Sequence, residues 1–124
     1  MNTNNKKNIV IKIGTTSIIK NDKVDITLLK SLAELIIENK NQFNFVIVTS
    51  GAVGLGATKL NYKSRPKSLK RLQVASAVGQ IELINQYEKI FKDKKMNIAQ
   101  VLITKNLIDD REQFLSLIHI SEPT

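Results

Sequence analysis

The stretch FNFVIVTSGAVGLG, residues 43–56, decides the fold through a change of pattern partway along it. Phe43 to Thr49 is short, apolar and rich in β-branched residues, the composition of a strand buried in a parallel sheet. Ser50-Gly51 ends that run sharply, and the Ala/Gly/Leu segment after it is helical through about Leu60. A strand that passes straight into a helix belongs to an α/β architecture.

Working outward, Asn8 to Ile13 is a second run of the same kind, ended by Gly14. Ile18 and Ile19, then Lys-Asn-Asp-Lys and Val24, predict a short hairpin turning at Asn21 and Asp22. Asp25 or Thr27 caps a helix to about Asn39, with Ile26, Leu29, Leu32, Ala33, Ile36 and Ile37 at the spacing of one buried face. Strand, helix and strand make a right-handed crossover unit. Downstream, a polar and basic loop from Asn61 to Lys70 contains Arg65-Pro66, and the proline pushes its predecessor out of helical geometry. A helical pattern resumes at Ser68, with Leu72, Ala75, Val78 and Ile81 on one stripe. It is expected to bend near Gly79 and to continue through Leu83, Ile84, Tyr87 and Phe91. Asn97 to Thr104 is expected to be a third strand, and the alternation predicts a parallel sheet covered on both faces.

Composition sets bounds on function. At 124 residues with 42% apolar content the chain can build a packed core, and it offers room for one domain or part of one. It has no cysteine and one histidine, which excludes disulfides and thiolate metal sites. The apolar run Ile9 to Ile13 is interrupted by Lys12 and is too short for a signal-peptide core or a membrane span, so a cytoplasmic protein is expected. The net charge of +8 favours anionic ligands, but only 5% of residues are aromatic and the lysines are scattered. That pattern fits a bias toward Lys and Asn better than a nucleic-acid surface.

In open parallel sheets ligands sit at the carboxyl ends of the strands, so the residues that follow each strand are the candidates. Lys12 stands two positions before a glycine turn, where a cation reaches a phosphate at the strand end. Gly14 lets backbone approach that phosphate, and Thr15 and Thr16 add hydroxyl and amide donors. The alternative is a strand lysine extending its stem to solvent. Ser50-Gly51-Ala52 opens a helix whose free amides suit an anionic group, or is a plain capping serine with a turn glycine. GAVGLG lacks the dinucleotide-binding spacing, and no GxxxxGK[ST] loop is present. His119 sits in an apolar run as an incidental residue, and Asp109, Asp110 and Glu112 beside Arg111 make a solvated helix start. No nucleophile and base pair is identifiable.

Four blocks in order carry a resemblance: IVIKIGTTSI at 9–18, VIVTSGAVGLG at 46–56, RPKSLKRLQVASAVGQIELINQYEKIF at 65–91 and AQVLITKNLIDDREQFL at 99–115. The chain resembles the glutamate 5-kinase family of the amino-acid kinase fold. The resemblance implies an α/β/α sandwich, incomplete here, and transfer of the ATP γ-phosphoryl group to the side-chain carboxylate of L-glutamate, with Mg²⁺ as the accompanying ion. It also implies that Lys12 stabilises the transferring phosphoryl group, that Gly14 and Thr15 lie beside the phosphates, that Ser50, Gly51 and Ala52 hold glutamate, and that the enzyme is a homo-oligomer.

The family's further glutamate-binding Asp and Asn, its ATP-binding Thr-Asp pair and its second lysine are expected beyond residue 124. Residues 1–116 are thus expected to be the N-terminal part of the kinase domain, inactive alone. Residues 117–124 depart from the family and are expected to be foreign sequence. Another amino-acid kinase, acting on uridylate, carbamate, aspartate or acetylglutamate, and a non-enzymatic basic binding module are the alternatives. The block at 65–80 speaks against the first, and salt-insensitive nucleic-acid binding would remove the second.

Overall fold

Apolar runs of β-branched residues pair most readily with each other, and in a computed structural model, which describes residues 5–101, the two predicted strands do so. Strand β1 (Lys7–Ile13) lies parallel to its neighbour over its whole length. A one-turn helix α1 (Thr15–Ile18) and a hairpin of β2 (Ile19–Lys20) and β3 (Lys23–Val24) follow, then helix α2 (Ile26–Asn39) and the partner strand β4 (Phe43–Thr49). Helix α3 (Ala52–Lys59) leaves β4 directly, and the long helix α4 (Leu69–Asp93) ends the regular structure.

Local chemistry accounts for each boundary. The hairpin turns at Asn21 and Asp22, both at positive φ (52° and 62°), as a two-residue connection between right-twisted strands requires. Asp25 caps α2, its carboxylate accepting from the Leu28 amide at 3.2 Å, and it also pairs with Lys20 at 3.6 Å. Ser68 caps α4 in the same way through the Arg71 amide. Helix α3 closes with Asn61 in the left-handed region and Tyr62 N–H donating to the Ala57 carbonyl. Helix α4 closes likewise at Lys95, where Met96 N–H donates to the Phe91 carbonyl.

The register aligns Ile9 with Phe45, Ile11 with Ile47 and Ile13 with Thr49, so odd-numbered residues of both strands share a face. That face carries the core. Ile11, Ile13, Phe45 and Ile47 pack with Ile18, Leu29, Leu32, Ala33 and Ile36 on one side and Leu83, Tyr87, Ile90 and Phe91 of α4 on the other. None of Val10, Val46 and Val48 on the opposite face joins this core, and Val10 is 55% exposed. The described residues therefore supply the parallel pair and one helical layer of an incomplete α/β sandwich. Burying the large core side chains contributes about 1.5–3 kcal/mol each.

Two sequence expectations change. The buried stripe of α4 is Ala75, Gly79, Leu83, Tyr87, Ile90 and Phe91, while Ile81 is 65% exposed. The predicted stripe through Leu72, Val78 and Ile81 follows apolar residues, whereas the actual contact is set by two small residues that admit a neighbouring backbone. Helix α4 is continuous across Gly79. Finally, residues 97–101 join no ladder; Ile98 packs against the core instead, and the remainder of the expected third strand, 102–104, lies outside the described residues. The Asp109–Glu112 group, His119 and the tail 117–124 lie outside them as well.

Candidate functional site

Because β1 and β4 are parallel neighbours, their carboxyl ends emerge side by side. The Ser50 amide donates to the Ile13 carbonyl at 3.0 Å, one step beyond the strand pairing, and holds the two exits together. From one exit Gly14 starts α1, its carbonyl accepting from the Ser17 and Ile18 amides. From the other, Gly51 caps α3 at φ 110°, a conformation that L side chains rarely adopt. Space adds a second reason for glycine there, since a Cβ at Gly51 would come within 3.0 Å of Ile18 Cγ2.

Helix α3 is seated against α4 with almost no side chain between them. A Cβ at Gly79 would overlap the Ala52 carbonyl oxygen and lie 2.6 Å from the Gly56 nitrogen, and a Cβ at Gly56 would overlap the Ala75 carbonyl. This close approach brings Ser76 and Gln80, one helical turn apart on α4, up to the first turn of α3. The result is a cleft of about 310 Å³ walled by Thr15 from α1, by Ser50, Gly51 and Ala52, by Ser76 and Gln80, and by Arg65 from the loop before α4.

The cleft suits an anion. Among the described residues, Arg65 is the only charged one in its lining, and none of them there is a carboxylate. The first-turn amides of α3 have no intrahelical acceptor, and the helix dipole adds positive potential at that end. Thr49 also lines the cleft, but its hydroxyl is engaged, donating to the Ser50 carbonyl at 3.3 Å and accepting from Tyr87 Oη at 2.8 Å. Burial pushes the Tyr87 hydroxyl above its ordinary pKa, an effect the bond to Thr49 partly offsets, so it remains a donor at neutral pH. The serine, by contrast, is exposed.

Of the residues singled out from sequence, Thr15, Ser50, Gly51 and Ala52 meet in this cleft. Lys12 and Gly14 do not line it. Lys12 is exposed and, as the register partner of Val48, stands on the sheet face opposite the core, next to the last residue of β1. Gly14 borders open space, with no atom within 4 Å of where its Cβ would be, so a ligand has room to approach its backbone. Sequence reasoning missed Arg65, Ser76 and Gln80. Their signals were present as the arginine before Pro66 and as a Ser and a Gln four apart on a helix, but what brings them to the cleft is the Gly56–Gly79 contact.

Among the described residues no helix is long and apolar enough to cross a membrane, and no group of three or more His, Asp or Glu side chains converges. Residues 7–120 match the model of the amino acid kinase family. The chain is 46% identical over 113 residues to a glutamate 5-kinase of Prochlorococcus marinus (strain CCMP1986), a match that covers 87% of this chain and 31% of that protein. It is 37% identical over 115 residues to a glutamate 5-kinase of Moorella thermoacetica, covering 91% and 30% of the two. A glutamate 5-kinase of Haemophilus influenzae (strain PittEE) is 37% identical over 117 residues, with 90% and 31% covered. The chain thus spans about a third of the length of these curated relatives.

Proposed function

The chain belongs to the amino acid kinase family, and from that premise we propose that its protein is a glutamate 5-kinase, transferring the γ-phosphoryl group of ATP to the side-chain carboxylate of L-glutamate. The observation that carries this reading is the anion-fitted cleft formed where two strand-turn-helix exits lie side by side, in a chain up to 46% identical to proteins named for that activity.

A glutamate side-chain carboxylate is ionised at neutral pH and needs no base to become a nucleophile. One of its oxygens attacks the γ-phosphorus as the bond from that phosphorus to the bridging oxygen of ADP breaks, and ADP leaves with the bonding pair. The product is an acyl phosphate, and no covalent enzyme intermediate is required. The obstacle is repulsion between two anions, so catalysis rests on positioning and charge neutralisation. Ser50 and the amides of Gly51 and Ala52 hold the glutamate. Lys12 carries its ammonium on a flexible four-carbon stem toward the transferring phosphoryl group, and backbone at Gly14 and Thr15 lies beside the phosphates.

Magnesium is implied by the family. The cleft offers hydroxyls, amides and a guanidinium but no carboxylate, which is the donor Mg²⁺ takes from proteins, so these residues do not form a site for it and no step is assigned to it. We also assign the enzyme to the cytoplasm, where ATP is supplied, and expect a homo-oligomer, which sedimentation of the protein would test.

The discriminating experiment offers glutamate, aspartate, acetylglutamate, carbamate and uridylate in turn with ATP to a protein carrying this chain at its relatives' length, following ADP release. Turnover with glutamate alone supports the assignment. Turnover with another acceptor and none with glutamate would replace it with a different amino-acid kinase.

A further inference from the structure

It is the carboxylates of this chain, more than its lysines, that are unevenly distributed. No Asp or Glu occurs between Glu38 and Glu82, and that interval contains Lys63, Arg65, Lys67, Lys70 and Arg71 within nine residues. Among the described residues no carboxylate pairs with them. The one ion pair among the described residues joins Lys20 and Asp25, on the hairpin.

Four of these cations, Lys63, Arg65, Lys67 and Arg71, line a basin of about 580 Å³ formed by the loop between α3 and α4 and by the first turn of α4. The left-handed residue Asn61 and the bond from Tyr62 N–H to the Ala57 carbonyl fix where the loop leaves α3. Ser68 fixes where it enters α4, and Pro66, which is buried, anchors it between. The Arg71 guanidinium lies over the Tyr62 ring, 5.7 Å from its centroid, a cation–π contact that ties the helix to the loop. The basin thus has a fixed rim, several cations without acidic partners, and the positive end of a 25-residue helix at one side. Its volume is that of a small-molecule site.

We infer that this basin is a second anion site, separate from the phosphate position at the end of β1, and that it takes a small ligand bearing two or more linked phosphates. Four cations on the rim carry more positive charge than a single phosphate neutralises, and a diphosphate supplies the charge to match it. Arg65 lines both this basin and the acceptor cleft, so an anion here competes with the cleft for one guanidinium. The inference does not depend on the phosphoryl-transfer reading, because Lys63 and Lys67 have no part in that cleft.

The test is isothermal titration of the 124-residue chain with inorganic pyrophosphate, inorganic phosphate, ATP and a twelve-nucleotide single-stranded RNA, with helix content checked by circular dichroism. Wild type is expected to bind pyrophosphate more tightly than phosphate. Exchanging Lys63 and Lys67 together for alanine should weaken pyrophosphate on the order of tenfold or more. The pair K23A/K30A, which lines neither the basin nor the cleft, should leave it unchanged. ATP binding that falls in K63A/K67A as pyrophosphate does identifies a nucleotide as a source of the ligand; retention of ATP with loss of pyrophosphate identifies the inorganic anion. The inference is overturned if folded wild type ignores pyrophosphate, if K23A/K30A weakens binding as much as K63A/K67A, or if the RNA binds more tightly than pyrophosphate at matched salt.

Discussion

Exchanging Gly79 for alanine tests whether the cleft is built by direct backbone contact between α3 and α4. In an isolated helix the change is favourable, by about 0.5–1 kcal/mol. Here the added carbon would overlap the Ala52 carbonyl oxygen and sit 2.6 Å from the Gly56 nitrogen, where ordinary contact begins at 3.4 Å, so α3 must retreat by at least about 0.8 Å. Every colliding atom is backbone, and no flexible side chain can yield in its place. Overpacking of this kind costs about 1–3 kcal/mol, and with only rigid partners the upper end applies. The net expectation is a loss of about 2 kcal/mol, or roughly 10 °C in Tm for a domain of this size. Gly54→Ala is the internal control: it lies on the facing helix α3, has open space around its Cβ position among the described residues, and should be stabilising by about 0.5–1 kcal/mol. Urea unfolding followed by circular dichroism measures both. If Gly79→Ala proves as stable as Gly54→Ala, the helix contact described here is wrong.

Other perturbations have equally definite outcomes. Gly51→Ala, at φ 110° and 3.0 Å from Ile18 Cγ2, should cost about 1–3 kcal/mol in the same unfolding assay. Gly14→Ala, at φ −82° with open space around it, should leave stability within about 0.5 kcal/mol of wild type yet reduce ATP turnover if phosphates approach that backbone. Tyr87→Phe removes the 2.8 Å bond to Thr49 and should cost about 0.5–1.5 kcal/mol at pH 7. Because the folded-state pKa of Tyr87 is raised above 10.0, its contribution is fully present below that pH and is lost as pH rises through the folded value. The stability difference between wild type and Tyr87→Phe should therefore be flat from pH 6 to 9 and shrink above about pH 10, as pH-dependent urea midpoints would reveal.

The two paired strands, the hairpin turn and α2 were legible because each is specified locally. Asn21-Asp22 tolerates the left-handed backbone, Asp25 is a strong cap, and the apolar spacing of α2 has one solution. Helix α1 was hidden because Thr15, Thr16 and Ser17 are weak helix formers, and their turn is fixed instead by Gly14's carbonyl and by the buried Ile18. The face of α4 was misread for a related reason. Hydrophobicity points to Ile81, but the helix turns toward Ala75 and Gly79, where the absence of side chains is what matters. Half of the site followed from strand ends, which sequence marks well. The other half, Arg65, Ser76 and Gln80, depends on a contact between residues far apart in the chain, and no local pattern announces that.

The proposed role of Lys12 is phosphoryl transfer to glutamate. Its most direct test traps the acyl phosphate with hydroxylamine, using ATP and L-glutamate with wild-type and Lys12→Ala proteins at the relatives' length. Lys12 is exposed, so its loss should change stability by no more than about 0.5 kcal/mol. Hydroxamate should form with wild type and fall by about 10²–10³-fold in the variant, the range for losing one preorganised charge at a transition state. Undiminished hydroxamate formation by folded Lys12→Ala would contradict the account.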